Sequence, residues 1–307
     1  MKLIVTGGAG FIGSHLVDAL TARGAEVHVI DNLYAGKLEY VNRQAVLHQY
    51  DVESAEAREQ VVRLKPDLVF HLAAQADVQQ SVQAPGYDAR VNVLGTLNML
   101  EACREAGVRK LVFASTSGVY GDLAKDRIEE DDPAAPISFY ALSKLAGEQY
   151  IRLFHRMFGL SYTILRYGNV YGPRQQAKGE GGVVALFTDK LRQGLPVRIF
   201  GDGEQTRDFI FVKDIVEANL ACIGQGDQQT FHASTGRPVT VNTLVRELER
   251  LSGTPLAADY LPPRQGDIRH SCLDNRKLTS MLGWQPAYDI VSGLRETYEY
   301  VQQRSTR

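Results

Sequence analysis

Cysteine is scarce in this sequence. There are three, Cys103, Cys222 and Cys272, odd in number and far apart in a chain of 307 residues. That excludes a disulfide framework and any paired-cysteine metal spacing, and it makes a reducing, cytoplasmic setting the expectation. No apolar run is long enough to span a bilayer. A strand-like run begins at the second residue, so no secretory leader is expected either. Neither sign of charge is in excess: 34 Lys and Arg face 36 Asp and Glu, for a net charge of −2. Bulk binding to nucleic acid or to a membrane surface is therefore not expected. None of the seven histidines has a partner four residues away, and no metal is expected. His71, inside Leu68-Val-Phe-His-Leu, reads as a strand residue with a local partner. Internal repeats and low-complexity segments are missing as well.

What is present is 44% hydrophobic residues, enough to bury a core in one large domain or two intimate ones. The organising stretch is Lys2–Gly13. Leu3, Ile4 and Val5 read as a buried parallel strand, Gly7, Gly10 and Gly13 as a tight turn, and Ser14 to about Arg23 as an amphipathic helix. Strand, glycine turn and helix together suit a pyrophosphate resting on backbone N–H groups. A second strand, Glu26–Ile30, ends in Asp31, 18 residues past Gly13. That is near the distance expected of the acid that accepts hydrogen bonds from an adenosine ribose, and its charge would repel a 2′-phosphate. Asp51 and Val52 end the next strand-like piece and could bracket the adenine. The helix Ala55–Leu64 leads to a strand at Leu68–Leu72, which leaves through the small residues Ala73, Ala74 and Gln75.

Strands and helices go on alternating through a helix at Val91–Ala106, a strand at Lys110–Ala114, a helix from Tyr140 to about Met157 and a strand at Tyr162–Arg166. This predicts an α/β fold with a doubly wound parallel sheet. The acidic run Glu129–Pro133 reads as a solvated loop. After Pro173 the regularity fades, and Gly179-Glu-Gly-Gly182 reads as a flexible loop. A smaller α/β C-terminal lobe is expected at 170–307, lending loops to a cleft over the first domain, 1–169. The chain is expected to return to the first sheet at about 208–235.

Tyr140 and Lys144 stand four residues apart, hence on one helix face. A phenol near pKa ~10 is a poor base at neutral pH, and a nearby ammonium would help to stabilise its phenolate. Thr116, at the end of the preceding strand, can bond the same substrate hydroxyl. These are parts for taking a proton from an alcohol while hydride leaves its carbon.

At these residues the sequence resembles the extended short-chain dehydrogenase/reductase family, in its NAD-dependent epimerase/dehydratase, nucleotide-sugar branch typified by UDP-glucose 4-epimerase. The resemblance covers almost the whole chain. It is carried by Thr6–Gly13, Asp31-Asn32-Leu33, His71-Leu-Ala-Ala, Asn92–Thr96, Tyr140-x-x-x-Lys144, Arg166–Arg174, Gly201–Asp208 and Arg264–Asp267. It implies a Rossmann sheet that holds NAD through Gly7, Gly10, Phe11, Ile12 and Gly13. Asp31, Asn32, Lys37, Asp51 and Val52 would serve the adenosine half. Leu72, Ala73, Ala74, Gln75, Asn92 and Tyr167 would line the rest, with Tyr140 and Lys144 touching both cofactor and chemistry. Thr116, Tyr140 and Lys144 are the implied catalytic residues. A UDP-sugar would lie on Thr116, Ser117, Tyr140, Asn169, Val184, Phe200, Arg207, Phe209, Arg264, Asp267 and Ser271, with the arginines on its pyrophosphate. A homodimer through the helices of 92–106 and 140–157 is implied too.

Three places refine the expectation. Ser117-Gly118 stands where related dehydratases carry Asp-Glu after the threonine, so no acid is supplied to expel a hydroxyl, which favours epimerisation. Gly168 stands where relatives often carry a larger residue, and it is expected to widen the sugar corner. A small Ser271 goes with relatives that also accept 2-acetamido sugars. The reading is NAD-dependent 4-epimerisation of a UDP-hexose, of the UDP-glucose/UDP-galactose pair and also the N-acetylhexosamine pair. UDP-glucuronate or UDP-pentose epimerases, a net redox enzyme on a nucleotide sugar and a non-catalytic dinucleotide sensor are the alternatives.

Overall fold

The computed structural model describes residues 1–177, 182–263 and 268–305. Its strands are β1 Lys2–Thr6, β2 Glu26–Ile30, β3 Val46–His48, β4 Leu68–His71, β5 Lys110–Thr116, β6 Ser161–Tyr167, β7 Asn169–Tyr171, β8 Val197–Phe200, β9 Thr206–Phe211, β10 Gln229–Ala233, β11 Pro238–Thr240 and β12 Ala258–Leu261. Its helices are α1 Phe11–Ala22, α2 Ala55–Leu64, α3 Val78–Gln83, α4 Pro85–Ala89, α5 Gly95–Ala106, α6 Phe139–Phe158, α7 Val183–Gln193, α8 Val212–Ala221, α9 Val241–Ser252, α10 Arg276–Leu282 and α11 Ile290–Ser305.

Seven strands form one parallel sheet in the order β10-β6-β5-β4-β1-β2-β3. Leu3, Ile4 and Val5 of β1 are buried because helices cover both faces. One face packs Leu16, Leu20, Phe231 and Trp284, and the other packs Met99, Leu100, Phe113 and Ile151. The strand order reverses between β1 and β4. A crevice therefore opens outside the carboxyl ends of these strands, where ligands of open α/β sheets bind. Local signals fix the helices that border it. Ser54 caps α2 and Ser138 caps α6, each accepting a hydrogen bond from a first-turn N–H, and α6 ends at the left-handed Gly159.

The second lobe combines a three-stranded sheet, β11-β9-β7, with the parallel pair β12-β8. Its core includes Phe187, Phe211, Leu244 and Leu294.

Three expectations change. The helix expected from Val91 begins earlier, as α4 with Pro85 in its first turn, and reaches α5 through a π-helical turn at Arg90–Leu94. Pro at a first helical position was the available signal. Of the 208–235 return, only β10 rejoins the central sheet, while α8 packs on α1. Thr206–Phe211 instead pairs with Asn169–Tyr171 in the small sheet. In the acidic run, Glu130 is not solvated: its carboxylate accepts the His232 N–H at 3.0 Å, because β10 passes directly behind it. Residues 179–181 of the glycine-rich loop lie outside the described residues.

Candidate functional site

The turn after β1 is shaped by backbone contacts that leave no room for side chains. Gly7 has φ of +71°, and a Cβ there would sit 2.8 Å from the Ala73 nitrogen. Only glycine suits both conditions. Gly13 rests against the Gly7 carbonyl, so α1 starts close under the strand. Gly10 caps α1 without a side-chain bond, and the first turn, which contains Phe11 and Ile12, carries no acid. Its N–H groups and the helix dipole are thus left for an anion.

Asp31 is 7% exposed. Its carboxylate accepts the N–H groups of Ala9 at 2.9 Å and Leu33 at 2.8 Å, tying the glycine turn to the loop after β2. Burial raises its pKa and these two bonds lower it. Asn32 donates to Asp51 at 2.6 Å, and the Lys37 N–H donates to the Ala9 carbonyl at 2.9 Å. Val52 is buried below this rim. Across the crevice, the N–H groups of Leu72 and Ala73 bond the carbonyl and hydroxyl of Thr6. A cradle that a Cβ would fill, a helix start free of acids and a carboxylate at the β2 end fit a dinucleotide without a 2′-phosphate.

Several other residues expected here hold the scaffold. Asn92 accepts the Gln75 N–H at 2.9 Å and donates to the Gln75 carbonyl, to Asp88 and to Ser143. It thereby fixes the Ala73–Gln75 exit loop, with Ala74 half-buried within it. The Tyr167 hydroxyl is bonded to Asn219 of α8 at 3.1 Å. His71 is buried between the hydroxyls of Thr6 and Thr96, at 2.7 and 3.1 Å, and burial holds its pKa at about 3. It is the strand residue with local partners that the sequence suggests, and its burial keeps it neutral.

The reacting groups meet where β5 ends. The Thr116 hydroxyl accepts the Gly118 N–H at 3.1 Å and interacts with the phenol of Tyr140 on α6, favouring its ionised form. Burial pushes that phenol up to about 12, the Thr116 bond pulls it down and Asp88 pushes it up. Lys144, one turn on, is buried, with its ammonium 4.1 Å from the centre of the Phe113 ring. Burial pushes it down to about 7, against the charges of Glu148 and Asp88. Lys144 therefore stands one turn from Tyr140 on the same helix, with its ammonium against the Phe113 ring.

Sequence reasoning passed over three carboxylates below the site. Glu148 accepts Ser115 at 2.6 Å and both arms of Arg166 at 2.9 and 2.6 Å. Its signal was its place four residues past Lys144 on one helix face. Asp208 accepts from Thr235, Gly236 and Leu273, fastening two loops of the second lobe. Asp88, which no pattern marked, accepts from Gln75 and Asn92.

The substrate set is spread across the second lobe. Ser117 follows Thr116, and Asn169 is exposed at the start of β7. Arg207 donates to the Thr206 carbonyl at 2.8 Å. Phe200 lines a cavity of about 440 Å³ with Gln205, Leu261, Pro263, Ile268 and Arg269. Val184 and Phe209 are buried in the lobe's core, at 1% and 4% exposure, so their side chains serve packing first. Ser271 is buried beside β9, its N–H donating to the Thr206 carbonyl at 3.3 Å. Arg264 and Asp267 lie outside the described residues. Gly168 does not widen the corner: a Cβ there would meet the Asp208 carbonyl oxygen at 2.8 Å, because β9 backbone occupies that space.

The family model for the NAD dependent epimerase/dehydratase family matches residues 3–233. A UDP-glucose 4-epimerase of Mycolicibacterium smegmatis is 40% identical over 312 residues, covering 99% of this chain and 100% of that one. The solved UDP-glucose 4-epimerase of Thermotoga maritima with UDP-glucose is 46% identical, with a TM-score of 0.97 over 99% of this chain and 100% of that chain. The UDP-N-acetylglucosamine 4-epimerase of Methanobrevibacter ruminantium M1, solved with UDP-N-acetylmuramic acid, is 35% identical, with a TM-score of 0.94 over 99% and 98%. Likeness of this extent runs through the turn and the helix that position the chemistry, and the chain belongs to the NAD-dependent epimerase/dehydratase family.

Proposed function

We propose that this protein interconverts UDP-hexoses at carbon 4, using a resident NAD. The observation that carries the reading is the Thr116–Tyr140 pair beside a dinucleotide cradle, with Ser117 and Gly118 rather than carboxylates directly after the threonine. A Cβ on Gly118 would touch Thr116 and Ala141 at ordinary contact distance, 3.4 and 3.5 Å, so the position is glycine without being forced to be. Dehydration would need an acid there, whereas epimerisation needs none. NAD, when bound, supplies the hydride acceptor and donor for sugar carbon 4 and a ring charge that helps ionise Tyr140. Tyr140 takes the proton of the 4-hydroxyl while Thr116 bonds the same oxygen. The keto sugar then turns about its pyrophosphate linkage, and Tyr140 returns the proton at the other face. Arg207 suits the pyrophosphate, since a guanidinium fork matches phosphate oxygens. The test is turnover of UDP-galactose by purified protein with no added cofactor, together with dinucleotide released on denaturation. Turnover that depends on added NAD, or active protein that releases none, would reject a recycled cofactor.

The sugar range rests on Ser271, whose small side chain beside β9 agrees with acceptance of UDP-N-acetylglucosamine as well as UDP-glucose. The likeness to an epimerase of that sugar supports it, and Gly168 contributes no extra room. Ser271→Tyr is expected to suppress the acetamido reaction at least tenfold while leaving the glucose reaction within about threefold, because a pocket that one bulky group fills discriminates by ~1–3 kcal/mol. Equal loss of both reactions would show that residue 271 does not select the sugar. We also infer a homodimer: Leu142, Leu153, Met157 and Phe158 of α6 and Leu94 beside α5 are exposed apolar residues, the composition of a helix-pair interface. No helix among the described residues is long and apolar enough to cross a membrane.

A further inference from the structure

Two carboxylates act on the buried ammonium of Lys144, and they differ in what neutralises them. Glu148, on the lysine's own helix, accepts Nε and a terminal nitrogen of Arg166 at 2.9 and 2.6 Å, and Arg152 at 3.3 Å. Its charge is more than matched by two guanidinium groups. Asp88, on α4, is 1% exposed. Its carboxylate accepts the amides of Gln75 at 3.0 Å and Asn92 at 3.1 Å. Among the described residues no cation pairs with it. The other groups facing the lysine bring no negative charge: His71 on β4 is neutral, Phe113 on β5 presents its ring, and Tyr140 on α6 is an un-ionised phenol.

The Asp88 bonds also reach the reacting helix. Asn92 donates to Ser143 at 3.0 Å, and the Ser143 hydroxyl donates to the Tyr140 carbonyl at 2.9 Å. One carboxylate thus holds the β4 exit loop and the start of α6 in register, through a bond chain that ends at Ser143, the residue before Lys144, and its charge reaches both Tyr140 and Lys144. A buried charge bonded only to neutral amides keeps its field, whereas one paired with guanidinium groups largely cancels.

We propose that Asp88 is a positioning residue that acts through Lys144, its unpaired buried carboxylate supplying the charge that keeps this lysine an ammonium beside the reacting phenol. The proposal rests on the reading of Tyr140 and Lys144 given above. The signs follow from the charge. Asp88 favours the charged form of Lys144 and disfavours the charged form of Tyr140. Its removal therefore lowers the pKa of both.

The test is the titration of the Lys144 side chain by NMR in isotope-labelled protein, assigned by its loss in Lys144→Arg, in the wild type, Asp88→Asn and Asp88→Glu. This readout needs no turnover, so a wrong substrate would not disturb it. In Asp88→Asn the ammonium is expected to titrate about one pH unit or more lower than in the wild type, the size of a nearby charge effect. Asp88→Glu is expected to restore most of the difference. In the pH profile of kcat, both limbs of Asp88→Asn are expected to move to lower pH, whereas a purely structural role would lower the whole profile with its limbs in place. Should Asp88→Asn not fold, Asp88→Ser carries the same comparison. An unmoved Lys144 titration in the uncharged variant, or a glutamate variant that titrates like the asparagine one, would overturn the proposal.

Discussion

Tyr140→Phe is expected to lower kcat for UDP-galactose by at least ~10²–10⁴-fold, the usual contribution of a positioned general base. That corresponds to about 2.7–5.5 kcal/mol of barrier. The phenol stands at the end of β5 beside Thr116, and among the described residues no other titratable hydroxyl or imidazole shares the spot: His71 is enclosed by Thr6 and Thr96, and the Tyr167 hydroxyl is bonded to Asn219. Phenylalanine fills the same half-buried space, and one hydrogen bond is lost, a cost of ~1 kcal/mol in stability. Thermal stability, retained dinucleotide and affinity for UDP are therefore expected to stay near the wild type while turnover falls. This split between chemistry and binding separates loss of a base from damage to the fold. Near-normal kcat in the variant would mean that another group takes the proton.

The parts that were legible in the sequence are those built from local signals. Glycines at 7, 10 and 13, an acid at the end of the second strand and the Tyr140–Lys144 pair each lie within one turn or one element, so spacing alone predicts their geometry. The strands of the central sheet were legible for the same reason: both faces are covered, which requires continuous apolar runs such as Leu68–Phe70. What could not be read depends on partners distant in the chain. Gly168 looked like spare room until β9, forty residues on, proved to occupy it. Glu130 looked solvated until β10 supplied His232. The strands β7, β11 and β12 of the second lobe were not legible, because three or four residues carry too little periodicity to be separated from loop. Asp88 shows the limit most clearly. An aspartate between a proline and an asparagine has no pattern of its own, and its meaning comes from Gln75 and Lys144, which other elements bring to it.

The buried pair beneath the site leads to the largest expected loss of stability. Glu148 has no exposed surface and Arg166 is 4% exposed. The Arg166 guanidinium also donates to the Tyr120 hydroxyl at 2.6 Å and the Glu130 carbonyl at 3.0 Å, and its charge stacks 4.9 Å from the Tyr120 ring. Both charges are out of water, so their attraction does little more than repay desolvation, and the pair is weak evidence of net stability. Breaking it is different. Glu148→Leu would leave Arg166 charged, enclosed and without its two strongest acceptors, a loss expected at ~3–5 kcal/mol. In a chain of this size that lowers the melting temperature by on the order of 10 °C. The Ser115 hydroxyl loses its acceptor in the same variant, and since Ser115 precedes Thr116, kcat is expected to fall as well. Removing both charges, in Glu148→Leu with Arg166→Met, deletes the uncompensated ion and is expected to recover much of the lost stability. Thermal or urea unfolding of the two single variants and the double measures this directly through a double-mutant cycle. If the double variant is no more stable than Glu148→Leu alone, the loss comes from packing around α6 rather than from the stranded charge.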